Sequence, residues 1–191
     1  AKNLTIHCSQ SVANLIERNP LWKSLREQGI IVPNVWMVNQ GFEPSPGCGF
    51  RIKPIAVPHR DELSDNHGLI IEGRDCNLLF LPDHDSWATT LHDSTIREWL
   101  AELRVDVALL DGTFWDMKEL PHRDMSEIPH PTVRESLDRL GVREENDPDI
   151  HFLHLNHTNP LCNPDSPELA ELTAMGGGLV KEGDSFTLER L

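Results

Sequence analysis

The sequence predicts a layered α/β domain. Short apolar runs of strand type alternate with capped, amphipathic segments of helical type, and neither a linker nor an internal repeat interrupts them. Several apolar runs also end abruptly in Pro, Gly, Asp or His, as strands do when they turn into loops.

Leu4–Cys8 reads as a first strand. Ser9 or Ser11 caps a helix to about Arg18, and Asn19-Pro20 restarts a second helix in the favoured N-cap and N1 positions, with Gly29 at its end. Residues 39–49 are rich in Pro and Gly and read as a loop. Residues 50–57 alternate at period two, and Pro54 within them marks an edge strand or a bulge. Residues 69–71 and Asn77–Leu81 are strands of buried type, joined by the hairpin turn Glu72-Gly73-Arg74-Asp75. Ser94 starts a helix to about Leu103, residues 105–110 form the next strand, and a polar segment follows over 111–129. Pro131 opens a helix that Gly141 stops. A strand over 150–155, a helix from Ser166-Pro167 to about Ala174 and a closing strand from Phe186 complete the expectation.

Composition narrows the function. With 17 Lys and Arg against 31 Asp and Glu in 191 residues, the net charge is −14, which repels phosphate backbones and argues against nucleic acid as a partner. The longest apolar runs are as short as Leu78-Leu79-Phe80-Leu81, far below the roughly 20 residues of a membrane span. Four cysteines, Cys8, Cys48, Cys76 and Cys162, lie far apart without a CxxC pair, which fits a reducing, cytoplasmic setting. The chain opens on Ala and enters ordered-looking sequence at once, so we expect a chain that lacks its N-terminal portion.

The polar residues are placed suggestively. Four apolar runs end in His or Asp: Val57-Pro58-His59, Leu81-Pro82-Asp83-His84-Asp85, Leu110-Asp111-Gly112-Thr113 and Leu155-Asn156-His157. Strand ends in α/β folds open onto one crevice, where such groups converge from distant parts of the chain. Imidazole and carboxylate are ligands of zinc, iron and manganese. Each residue taken alone is equally a turn former or a helix cap, and the spacing matches no local zinc signature.

Segments 59–65, 106–114, 123–131 and 154–161 (the last reading His-Leu-Asn-His-Thr-Asn-Pro-Leu) resemble the coenzyme PQQ synthesis protein B family, of the metallo-β-lactamase-like superfamily. The resemblance implies an αββα sandwich holding metal between two half-sheets. Residues 1–191 are then a single such domain without its N-terminal half-sheet, since neither the HxHxDH segment nor the cysteine cluster of the family is present. By position the family's later ligands fall on His59, Asp83 and His157, with Asp83 and His157 nearest the chemistry. Asp111, His154, His84, Arg60 and Arg123 become residues that orient ligands or meet substrate, and Arg51 and Lys53 are further candidates for positive charge near the crevice.

The implied function is PQQ biosynthesis, acting on the precursor derived from tyrosine and glutamate, as an Fe(II)- and O2-dependent tyrosine hydroxylase. Zn(II) is the other metal the donor set admits. Two alternatives stay open: a carrier that binds PQQ or its precursor for transport to the periplasm without chemistry, and a metal-dependent phosphodiesterase or esterase. An uncovered sheet face also implies self-association into a homo-oligomer.

Overall fold

The computed structural model describes residues 2–60 and 62–189. The elements run β1 (Leu4–Cys8), α1 (Gln10–Arg18), α2 (Pro20–Glu27), β2 (Ile31–Val35), β3 (Arg51–Ala56), β4 (His67–Glu72) and β5 (Asn77–Leu81). They continue with α3 (Trp87–Leu91), α4 (Ile96–Glu102), β6 (Val107–Asp111), α5 (Val133–Leu140), β7 (Asp149–Leu153), α6 (Pro167–Ala174) and β8 (Gly178–Leu179). Among these helices none is long and apolar enough to cross a membrane.

Six strands form one sheet in the order β3-β4-β5-β6-β7-β8, and β1 pairs with β2 in a separate two-stranded parallel sheet. β3, β4 and β5 are antiparallel neighbours, whereas β5 to β8 run parallel. Each parallel step needs a crossover, which α3 with α4, then α5, then α6 supply. The carboxyl ends of β3, β5, β6 and β7 therefore open at one edge of the sheet, and the amino end of β4 joins them.

Period-two alternation selects the core face. Ile70, Leu79, Leu81, Ala108, Leu110 and Phe152 are fully buried and pack against Trp87, Ile96, Leu100, Val133 and Leu172 of the helices. The Trp87 indole N–H donates to the Ser136 hydroxyl at 2.8 Å, so the polar atom of this large buried ring is satisfied and α3 is tied to α5. Caps set the helix starts: Asn19 accepts the N–H groups of Leu21 and Trp22, and Thr132 accepts that of Glu135 at 3.1 Å. Pro54 lies in β3, the edge strand, where a missing N–H is tolerated.

Two elements lie where the sequence reading assigned none, and two expectations change. Residues 31–35 form a strand despite Pro33, because β2 needs to pair only with β1. Trp87–Leu91 is a short helix with Ser86 as its cap. Thr95, not Ser94, caps α4, through a capping box with Glu98. The closing strand lies at Gly178–Leu179, and residues 186–189 form no strand. There the Phe186 ring packs edge-on against His151, and Leu188 accepts the Asp75 N–H.

Candidate metal centre

Three strand ends build the site. β3 runs out through Val57-Pro58 to His59, β5 through Pro82 to Asp83, His84 and Asp85, and β6 closes on Asp111 itself. The first two loops are stitched together. The Asp85 N–H donates to the Pro58 carbonyl at 2.9 Å, and the Asn66 amide donates to the Asp83 carbonyl at 2.9 Å. His130 arrives from the segment leading into α5, just before Pro131 and the cap Thr132.

Asp111 is 3% exposed and fully engaged. Its Oδ1 accepts the backbone N–H of Thr113 at 2.8 Å and the Thr113 hydroxyl at 2.6 Å. Its Oδ2 accepts the backbone N–H of His84 at 3.0 Å and faces His130 Nδ1 at 2.8 Å. Gly112 lets this loop lie against β7. A Cβ there would stand 2.8 Å from the Leu153 carbonyl oxygen, which the Gly112 N–H already contacts.

Asp83 is the opposite case. Its Oδ1 is sealed from solvent and has no hydrogen-bond partner. The ring nitrogen His130 Nδ1 is 3.7 Å away, too far for a hydrogen bond. Its Oδ2 lies 3.3 Å from His59 Nε2, and the other nitrogen of that ring, Nδ1, is 2.6 Å from Asp85 Oδ1. One ligand atom each from Asp83, Asp111 and His130 lie within 4.8 Å of one another. A buried carboxylate oxygen without a donor is costly, and a cation beside two carboxylates and an imidazole would satisfy it.

The buried His84 ring and the half-buried His130 ring are tuned in opposite directions. Burial lowers the His84 pKa to about 4; Asp111 and Asp85 pull the other way and do not compensate. That ring stays neutral, with Nε2 on the Thr90 hydroxyl at 2.6 Å and its edge on Trp87. Burial would also depress His130, but the Asp111 hydrogen bond and the charges of Asp111, Asp83 and Asp85 outweigh it and hold its pKa above the usual histidine value.

Compared with the residues expected from sequence, the structure gathers Asp83, Asp111 and His59 and adds His130 and Asp85. His84 packs as a core histidine that holds Asp111 through its backbone. His154 reaches the edge of the cluster: its Nδ1 is 3.0 Å from the Thr113 hydroxyl and its ring centroid 6.4 Å from that of His130. His157 is exposed in the turn after β7 and is not among the grouped side chains. Arg60 and Arg123 are exposed. Arg51 and Lys53 stand toward the other end of β3, each 4.0 Å from Glu72, so they do not line this edge. The signal for His130 was its placement between Pro129 and Pro131 before a helix cap. Asp85 and Thr113 were signalled only by adjacency to Asp83 and Asp111.

The beta-lactamase superfamily domain matches residues 1–145. The chain belongs to that superfamily. Its curated relatives include the coenzyme PQQ synthesis protein B of Azotobacter vinelandii, 33% identical over 145 residues that cover 71% of this chain and 45% of that protein. The same protein of an Azoarcus species is 29% identical over 192 residues, 89% of this chain and 60% of the relative. The chain thus spans about half the length of these relatives. Among solved structures, zinc-bound PqqB from Methylobacterium extorquens superposes with a TM-score of 0.69 at 19% identity, over 93% of this chain and 60% of that one. The metallo-β-lactamase-like fold expected from sequence is therefore the fold observed.

Proposed function

We propose that this chain serves coenzyme PQQ synthesis by seating a divalent metal ion in the Asp83–Asp111–His130 cluster and presenting it to a small precursor of the coenzyme. One observation carries the reading: Asp83 Oδ1 is buried and unpartnered beside a second carboxylate and an imidazole. Asp83 would hold the ion by that oxygen and His130 by a ring nitrogen, with His59 beside Asp83. The likeness to relatives named for PQQ synthesis supports the pathway, and the zinc in the M. extorquens protein supports a metal.

The finer reading is hydroxylation of the aromatic ring of the tyrosine- and glutamate-derived precursor, with residues 1–191 acting as one domain. When bound, Fe(II) supplies activation of dioxygen and Zn(II) supplies Lewis acidity. The chain's own groups provide the surroundings. His59 Nδ1 and Asp85 Oδ1, 2.6 Å apart, hold a proton that can move within the site. Arg60 and Arg123 give local positive charge to receive an acidic precursor on a chain of net charge −14. Gly112 and the Asn66 and Pro58 contacts keep the strand-end loops in register.

Metal analysis by plasma mass spectrometry after anaerobic loading with Fe(II) or Zn(II) tests the seat. Stoichiometric metal that is lost in Asp83→Asn is the expected result, and a metal-free chain under both loadings overturns it. Incubation of iron-loaded protein with precursor and O2 should give a product one oxygen heavier. Tight binding of the precursor without product would instead assign the chain a carrier role.

A further inference from the structure

We propose that Asp111 is a positioning carboxylate and not a cation ligand, and that with the Thr113 hydroxyl it fixes both His130 and His154 as Nδ1–H tautomers with Nε2 left open. The proposal rests on reading the cluster as a metal seat, and it divides the labour within that seat.

The argument is a count of protons and lone pairs. An ionised carboxylate has no proton to donate and about four lone-pair positions to offer. Asp111 has all four filled: Thr113 N–H and Thr113 O–H on Oδ1, His84 N–H and His130 on Oδ2. No position remains for a cation. Asp83, by contrast, keeps Oδ1 free. Because Asp111 only accepts, His130 must carry its proton on Nδ1.

The Thr113 hydroxyl extends the same constraint to His154. A hydroxyl has a single proton, and two oxygens 2.6 Å apart require one between them, so the Thr113 hydroxyl donates its proton to Asp111 Oδ1. Toward His154 Nδ1, 3.0 Å away, the hydroxyl can then only accept, and the ring must donate. A neutral imidazole with its proton on Nδ1 keeps the lone pair on Nε2, the form that binds metals or takes up protons. The backbone is consistent with a held residue. His154 has φ of 63°, in the left-handed region that non-glycine residues rarely enter, and the following turn is pinned by Asn156 N–H on the Thr113 carbonyl at 2.9 Å. One carboxylate thus sets two rings, one directly and one through a hydroxyl.

Nitrogen-15 NMR of the histidine side chains in the metal-free chain, at a pH where the rings are neutral, reads the tautomers without any activity. His130 and His154 should both give the Nδ1–H pattern. In Thr113→Val the His154 pattern should shift toward Nε2–H while His130 keeps its own, and Thr113→Ser should restore the original. A His154 tautomer indifferent to Thr113→Val overturns the relay. Calorimetric titration with Zn(II) alone then separates the two carboxylates: Asp111→Asn should weaken binding by about 10- to 100-fold, whereas Asp83→Asn should abolish it. Equal abolition by both would make Asp111 a ligand and overturn the division. If the parent chain bound no zinc, the metal seat would fail while the NMR patterns still decided the tautomer claim.

Discussion

The two ends of the parallel strands β5, β6 and β7 treat acidic side chains in opposite ways. At the amino ends guanidinium groups join backbone N–H donors as partners: Arg97 Nε lies 2.8 Å from Asp147 and its Nη1 3.2 Å from Glu144, Arg143 reaches Asp149 at 2.5 Å, and Asp106 accepts the Asn77 N–H at 2.9 Å. At the carboxyl ends Asp83, Asp85 and Asp111 meet imidazoles and N–H or O–H donors, and no Lys or Arg pairs with them among the described residues. A guanidinium is permanently charged and fills a carboxylate's need for good. An imidazole can give up its proton, so the same carboxylate remains available to another cation. The sheet therefore uses one residue type as scaffold at one end and as potential chemistry at the other.

The largest effect that would sharpen this contrast is Asp111→Ala. It strands the His84 N–H and the His130 ring in a buried setting, and we expect a loss of about 3–5 kcal/mol in chemical denaturation, as when one partner of a buried pair is removed. Gly112→Ala should come next. Its methyl would press on the Leu153 carbonyl and push the Asp111 loop from β7, costing about 1–3 kcal/mol in the same measurement. Asp83→Asn should separate stability from function: the midpoint of unfolding should hold within about 0.5 kcal/mol, because Oδ1 has no donor to lose and an amide can keep the contact of the other atom with His59, yet metal retention should vanish. A fall as large as that of Asp111→Ala would erase the distinction between the two carboxylates.

The smallest effect belongs to the other end. Asp147 is held below the usual carboxylate range, chiefly by its hydrogen bond from Arg97. Its folded pKa lies below its unfolded one, so its contribution is complete above the ordinary aspartate pKa and fades as pH falls through the lowered value. Asp147→Asn should remove about 0.2–1 kcal/mol at neutral pH, less at high salt, and should flatten the acid limb of a stability–pH curve. A variant whose acid limb matched the parent's would show that the Arg97 pairing is inert.

Much of this architecture is legible in the residues. Asn19-Pro20, Ser166-Pro167 and the Gly-containing turn before Asn77 mark their elements because capping and turn chemistry are local. β2 escapes such a reading because Pro33 is admissible only once the strand is known to be an edge, which is a property of the assembled sheet. Strand ends are local too, and so Asp83, Asp111 and His59 could be picked out as converging groups. His130 could be noticed by its flanking prolines but not joined to Asp111, since that approach depends on how α5 docks. Of the two histidines three residues apart, the sequence put His157 at the metal and His154 behind it through the resemblance alone; the contact of His154 with Thr113, 41 residues upstream, is visible only in the folded chain.

Residues 59, 83, 111 and 130 come from four separate stretches, and His154 from a fifth, four of them following or closing strands of the sheet and His130 preceding α5. No hairpin or single crossover contains enough of them to bind anything, so recognition at this edge is an attribute of the closed sheet and is absent from any partly assembled chain. A ligand taken up there selects the fully folded molecule. Each tenfold excess of that ligand over its Kd would add about 1.4 kcal/mol to global stability, and slowed hydrogen exchange would be felt at Leu79, Ala108 and Phe152 as much as in the loops that touch it.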